Sequence, residues 1–380
     1  MDFIILHNEI FTNMICLKKF FLFSFLLLIF QSYSFSQSGK NKKVLAYYAG
    51  GPEQLDQYDV NSLTHIIFSF GRLDGNRLSI RTARDTATVR KMVELKAKNP
   101  QLKVLLSLGG WAGCETCSDV FASAVGRKEF AESVKEVNSY FRTDGIDLDW
   151  EYPAIPGPPD HKYAPEDKKN FTLLVQDLRK ILGSENVISF AAGVSQRFLE
   201  ESIEWGEVME FVDFVNLMTY DLVGGSSPIT GHHTALYSTP QQERSADYAV
   251  QYLLNLDIPS EKMVIGGAFY GRIFEDVPEL NNGLYQPGKF KSYEVHRNFA
   301  DSLKPEMGYQ YFWDDEAKAP YLYNAQMKHF VTFDDPRSVG LKTKYVMDNK
   351  LGGIMFWQLA QDKAEGGLLE AITKTRMGNE

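Results

Sequence analysis

The chain has 380 residues, with Lys+Arg 40 against Asp+Glu 49, a net charge of -9 and 44% hydrophobic residues. That apolar fraction places it among globular proteins and excludes intrinsic disorder. The acidic balance, without a dense Lys/Arg run, excludes the electrostatic footprint of a phosphate-backbone binder, so nucleic acid is not an expected partner.

The first feature in chain order is a leader. Residues 14–36 run from Met14 through Lys18 and Lys19 and an apolar stretch at 20–30 to Ser34 and Ser36. These are the charged, apolar and small-residue segments of a secretory signal peptide, and the apolar run is too short to span a bilayer comfortably. We expect residues 1–36 to be removed, with Met14 as the true start. The mature protein is then secreted or periplasmic and free of the membrane; a retained anchor is the alternative. After the leader only Cys114 and Cys117 remain, spaced C-x-x-C. Two thiols cannot fill a four-ligand zinc site, and no His pair stands at finger spacing. A short-loop disulfide is the expectation for an exported chain, with free thiols as the alternative.

Apolar runs of strand length follow at 44–48, 64–70, 103–108, 145–151, 187–192, 212–220, 263–270 and 353–358. Helix-length amphipathic stretches lie between them, at 86–98, 127–141, 165–182, 241–256 and 336–350. Alternating strands and helices imply parallel pairing, and eight such units fit a closed (β/α)8 TIM barrel. An open doubly wound sheet is the other topology that fits. The rhythm breaks at 273–340, between the seventh and eighth strands, where turn signals such as Asn281-Asn282-Gly283 recur and the span is too long for a loop. We expect a small α+β insertion domain there, on the face where barrels carry active sites, leaving 44–272 and 341–376 for the barrel.

Residues 144–153 read DGIDLDWEYP. Strand alternation puts Asp147, Asp149 and Glu151 on one face and Ile146, Leu148 and Trp150 on the other. Three neighbouring carboxylates in a desolvated barrel mouth cannot all ionise, and Glu151, at the C-terminal end, is the expected proton donor. A solvated acidic strand conflicts with the apolar flanks. A metal site would want a His or a second acid cluster, so no metal is expected. A general acid beside aromatic rings points to glycosidic bond cleavage. Asp149, on the same strand, would approach the sugar from the same side as Glu151, which argues against backside attack and for a nucleophile within the substrate.

The same stretch matches in full the D-x-x-D-x-D-x-E signature of glycoside hydrolase family 18, the chitinase family, at Asp144, Asp147, Asp149 and Glu151. Further blocks resemble the family across nearly all of the chain after the leader: SLGGW at 107–111, MTYD at 218–221, FYGR at 269–272 and GGIMFWQ at 352–358. The inserted segment resembles the family's chitinase insertion domain, including YFWDDEAKAPYLY at 311–323. The resemblance implies a monomeric enzyme that cleaves chitin or chito-oligosaccharides by a retaining, substrate-assisted mechanism without a cofactor. It implies Glu151 as acid and base, Asp149 as the group orienting the 2-acetamido nucleophile, and Asp147 and Ser107 sharing protons with Asp149. Tyr220 would reach the acetamido oxygen, Asp221 the bent sugar, and Asp144 would give structural support.

The resemblance also implies a groove floored by Trp357, walled by Tyr47, with Phe70 nearby and Trp111 and Tyr152 on the leaving-group side. Gly109, Gly110, Met218, Thr219, Tyr270 and Arg272 complete the substrate-binding positions. His232 and His233 read as loop or hydrogen-bonding residues rather than metal ligands. Two other functions stand beside the chitinase: a non-catalytic lectin of the same fold, and an endo-β-N-acetylglucosaminidase acting on N-glycans. The presence of Glu151, Asp149 and Tyr220 favours the enzyme, and the insertion favours chitin.

Overall fold

Short runs rich in Val, Ile, Leu and Phe, apolar on both faces, are the composition of strands buried between a barrel interior and a helical shell. The computed structural model describes residues 42–378 and pairs those runs accordingly. In chain order the strands are β1 (Lys43–Tyr48), β2 (His65–Asp74), β3 (Arg77–Ser79), β4 (Lys103–Gly109), β5 (Gly145–Asp149), β6 (Val187–Ala192) and β7 (Phe214–Leu217). They continue with β8 (Met263–Ala268), β9 (Tyr270–Glu275), β10 (Lys289–Val295), β11 (Gln310–Asp314), β12 (Ala319–Asn324), β13 (His329–Thr332) and β14 (Gly353–Trp357). The first sheet runs β1-β14-β8-β7-β6-β5-β4-β2 with every pair parallel, and β1 pairs with β2 to close it. The eight-stranded barrel is therefore closed, and the open-sheet alternative fails. β3 folds back on the end of β2 as a hairpin.

Helices cover the outside. The helix Ala124–Phe141 buries Phe130, Ala131 and Val134, and Asp167–Leu182 buries Phe171, Leu174, Val175 and Leu178, each at helical spacing. Ser123 caps the first of these by accepting a hydrogen bond from the Gly126 amide. Trp150 faces this shell, packing on Phe121 and Phe171 with ring centroids 5.5 and 6.3 Å away. Its burial outside the barrel fixes the opposite orientation for Asp147 and Asp149.

A second sheet, β10-β9-β13-β12-β11, is wholly antiparallel and stands between β8 and the helix Pro336–Asp348. It has its own apolar clusters, one around Phe274, Val277, Tyr321 and Phe330 and another around Ile273, Leu322 and Val331. The expected boundary between 272 and 273 falls inside β9, so Tyr270 and Arg272 ride on this sheet rather than on a barrel strand. Where the sheet meets the barrel, Lys342 and Asp334 form a fully buried ion pair 2.6 Å apart. Asp334 also accepts from the Ala268 amide at 2.9 Å and from Thr234 at 2.9 Å, tying the end of β8 to the loop after β7. His296 reaches back from the insertion to Asp362 at 2.9 Å. The expected leader lies outside the described residues.

Candidate active site

The C-terminal ends of the barrel strands surround a cleft of about 780 Å³. The acidic stretch enters it from below. β5 ends at Asp149, so Glu151 stands just past the strand, and both side chains line the cleft. Asp147, one alternation deeper, does not line it and is wholly buried. Its Oδ2 accepts from the hydroxyls of Tyr47 at 3.0 Å and Ser107 at 2.8 Å, and its Oδ1 from Ser189 at 2.6 Å and the Asn216 amide at 3.1 Å. Four donors on two oxygens suit an ionised carboxylate, even though burial pushes this acid above its ordinary range. This corrects one expectation. Asp147 and Ser107 bond each other and share no hydrogen bond with Asp149, because Ser189 and Asn216 on the neighbouring strands complete the Asp147 shell.

Asp149 is left differently. Its Oδ1 is buried and has no hydrogen-bond partner among the described residues. Burial, then the neighbouring Glu151 and Asp147, hold its carboxyl well above the usual range, and Arg72 alone opposes them. Glu151 is raised by burial to about 7. The two acids in the cleft therefore keep at least one proton between them at neutral pH. A buried acceptor without a donor costs free energy unless something arrives to satisfy it, which marks Asp149 as a waiting contact for an incoming N–H or O–H.

The backbone beside the acids is shaped to match. Gly109 and Gly110 take φ of +111° and +76°. A Cβ on Gly109 would lie 2.2 Å from the Asp149 carbonyl oxygen, and one on Gly110 would strike the Phe70 ring at 2.5 Å. The Gly110 amide donates to that Asp149 carbonyl at 2.8 Å. The glycine pair thus lets the turn after β4 lie against the end of β5. Beyond it, Cys114 and Cys117 form a buried disulfide, the bonded arrangement of the two expected states.

Aromatic rings form the walls. Phe70 stacks on Trp357 with centroids 5.5 Å apart and planes 14° from parallel, and Arg72 lies over the Phe70 ring at 5.6 Å. Across the cleft Trp111 is 55% exposed and meets Tyr152 edge-on at 6.3 Å. A broad, exposed indole beside a general acid offers a stacking face for a flat, ring-shaped ligand. On the third side Asp221 accepts from the Tyr270 hydroxyl at 2.6 Å and the Arg272 Nε at 2.7 Å. His233 lies behind it, its Nδ1 3.5 Å from the same oxygen. Burial would raise Asp221, but His233 and Arg272 outweigh it and hold the carboxyl below its ordinary value, so Asp221 is the permanently charged acid of the cleft.

Of the expected positions, Phe70, Gly110, Trp111, Met218, Tyr220 and Tyr270 also line the cleft beside the residues already placed there. Four others do not. Tyr47 is buried with its hydroxyl committed to Asp147, so it supports the acids from beneath instead of walling the groove. Gly109 lies under the turn. Thr219 is buried and bridges to β8, donating to the Gly266 carbonyl and accepting from the Gly266 amide, both at 2.8 Å. Ser107 is buried against Asp147. Asp144 sits at the opposite end of β5, where it accepts from the Val104 amide at 2.7 Å and pairs with Lys96 at 2.6 Å, a structural post. His232 is buried and meets Asp314 at 3.0 Å. The sequence reading missed Arg72, Arg244, Ser189 and Asn216. A polar side chain inside an otherwise apolar buried strand, as with Ser189 in VISFAA and Asn216 in FVNL, is the signal that marks two of them.

The chain that builds this cleft matches a known family over most of its length. The family described as glycosyl hydrolases family 18 matches residues 32–362. The chain belongs to glycoside hydrolase family 18. It is 34% identical to Chitinase A1 of Niallia circulans over 72% of this chain and 43% of that protein. It is 30% identical to Chitinase B of Serratia marcescens over 82% of this chain and 76% of that one. Among solved structures, a family 18 N-acetylglucosaminidase from Paenibacillus barengoltzii superposes with a TM-score of 0.80 at 35% identity, covering 88% of this chain and 100% of that one. The protein is accordingly a glycoside hydrolase with the family's TIM barrel. It spans less than half the length of Chitinase A1.

Proposed function

We propose that this glycoside hydrolase cleaves the β-1,4 linkages between N-acetylglucosamine units of chitin or chito-oligosaccharides, with retention and with the substrate's own acetamido group as nucleophile. The observation that carries the reading is the buried, unpartnered Oδ1 of Asp149 beside a Glu151 raised to about 7. Glu151 protonates the bridging oxygen, and the acetamido carbonyl attacks the anomeric carbon to form a cyclic oxazolinium intermediate. Asp149 accepts the acetamido N–H, which holds the carbonyl in line and stabilises the positive charge that develops. Tyr220, whose hydroxyl among the described residues has only a 3.9 Å contact with the Met355 sulfur, is free to donate to the acetamido oxygen. Glu151, now ionised, takes a proton from water as that water opens the intermediate. The chemistry asks for no cofactor.

The Phe70–Trp357 stack suits the floor of the subsite holding the distorted sugar, and Trp111 with Tyr152 suits the leaving-group side. Asp221, fixed by Tyr270 and Arg272, supplies a charged acceptor for a sugar hydroxyl. The test is hydrolysis of a chromogenic N-acetylchitobioside by the protein and by Glu151→Gln. Cleavage by the first and its loss in the second is the expected result, and equal rates would end the assignment. The likeness to an N-acetylglucosaminidase favours a second reading, release of single sugars from chain ends. The products from chitohexaose separate the two: N-acetylglucosamine with an equal amount of the pentamer at early times, or dimer, trimer and tetramer. We also infer export after removal of residues 1–36, read out by N-terminal sequencing of the mature protein, and a monomeric state, read out by light scattering.

A further inference from the structure

One side of the cleft is built from donors that nothing in the protein occupies. After β7 the chain runs through Gly224, Gly225 and Ser226, all lining the cleft. Among the described residues their three amide N–H groups find no hydrogen-bond partner. Arg244 lines the cleft with them. Its carbonyl accepts from Gln242 at 3.0 Å, but its guanidinium has no hydrogen bond and no carboxylate partner among the described residues. The other cations of the cleft are engaged. Arg272 is bound to Asp221, and Arg72 donates to the carbonyls of Gly71 and Gly109.

The acids of the cleft do not reach this cluster: Asp221 is bound to Arg272, and among the described residues neither Glu151 nor Asp149 forms an ion pair with Arg244. In a protein of net charge -9, the substrate cleft thus presents an exposed guanidinium without a carboxylate partner and, on the same lining, three amide N–H groups open to a ligand, those of Gly225 and Ser226 in exposed residues. Successive free amides next to an arginine make a concavity suited to an anion, and the arginine fork matches a carboxylate in shape. There is room for one, since a Cβ built on Gly224 would meet nothing closer than 3.9 Å. A neutral sugar offers hydroxyls, which leave the charge uncompensated.

We propose that the recess formed by Gly224–Ser226 and Arg244 binds a carboxylate carried by a sugar of the substrate, so that the enzyme takes acidic N-acetylglucosamine oligosaccharides in preference to neutral ones. The proposal rests on the cleavage assigned above and extends its substrate class. Two kinds of glycan supply that carboxylate: a lactyl ether on N-acetylglucosamine itself, and a uronic acid alternating with it. By the same charge logic, a de-N-acetylated, cationic unit in this position is disfavoured.

The experiment compares kcat/KM for three soluble tetrasaccharides: one of N-acetylglucosamine alone, one alternating it with its 3-O-lactyl ether, and one alternating it with glucuronic acid. Wild type, Arg244→Gln and Arg244→Glu are assayed at low and high salt, with thermal melts to establish that each variant folds. Wild type should favour at least one acidic substrate over the neutral one, and whichever it favours identifies the source of the carboxylate. Arg244→Gln should lower that acidic-to-neutral ratio roughly three- to tenfold, as expected for a partly solvated charged hydrogen bond. Arg244→Glu should lower it further, and high salt should shrink the wild-type preference. The proposal is overturned if wild type cleaves only the neutral substrate, or if Arg244→Gln lowers all three rates equally. Failure on all three substrates, with Glu151→Gln indistinguishable from wild type, would instead overturn the glycosidase assignment.

Discussion

Replacing Glu151 with glutamine removes a group whose ionisation the fold opposes. Burial raises its carboxyl from an ordinary 4.5 to about 7. A displacement of that size corresponds to roughly 3 kcal/mol, and because Glu151 and Asp149 hold a proton jointly we take roughly 2–3 kcal/mol for Glu151 itself. The direction follows from proton counts. Between the two values the folded chain binds the proton and the unfolded chain does not, so stability falls as pH rises from 4.5 to about 7 and is flat beyond. Glutamine keeps the shape and has no charge to bury. Urea unfolding of wild type and Glu151→Gln at pH 4.5 and pH 8 reads the effect as a difference of differences, because every titrating group outside the Glu151–Asp149 pair is common to both proteins. We expect the variant to gain roughly 2–3 kcal/mol relative to wild type between the two pH values while losing activity, the trade-off of a site held in a costly state. Parallel pH dependence in the two proteins would refute the claim that Glu151 is held protonated by burial.

Three further outcomes follow from the same geometry. The rate of glycoside cleavage should fall on the alkaline side with an apparent pKa near 7, since the proton that Glu151 donates is lost there; a profile flat to pH 9 would assign the acid elsewhere. Asp149→Asn should reduce kcat on the order of a hundredfold or more while changing KM little, because its contact strengthens only as charge develops; steady-state kinetics with a chitobioside reads this directly. Lys342→Ala should destabilise the fold by roughly 3–5 kcal/mol by stranding the buried Asp334 carboxylate, and Asp334→Leu combined with Lys342→Met should recover much of that loss, as measured by urea unfolding.

Much of the barrel was legible because each of its strands is a short apolar run set off by a helical pattern, and 187–192 coincides with β6. The ends were harder. The run 212–220 reads as one strand, yet β7 stops at Leu217 because the Thr219 hydroxyl takes the backbone of Gly266 as its partner, turning the MTYD block into a loop. Tyr270 likewise looks continuous with β8 but pairs with Val295 in the second sheet. Alternation correctly separated the face of Asp147 and Asp149 from that of Trp150. It could not tell Asp147, saturated by four donors, from Asp149, left without one, because those donors come from β1, β4, β6 and β7. The engaged Arg72 and the unengaged Arg244 look alike in one dimension; only the fold shows which has a partner.

The claim that everything else depends on is that the nucleophile is the substrate's acetamido oxygen, with Glu151 on the same side of the sugar. Following chitotetraose cleavage by proton NMR gives the anomer formed first. The account predicts the β-anomer from wild type, no cleavage of the matching oligosaccharide that bears a 2-hydroxyl in place of the acetamido group, and no product from Glu151→Gln. Initial formation of the α-anomer, or equal cleavage of the 2-hydroxyl substrate, would contradict it.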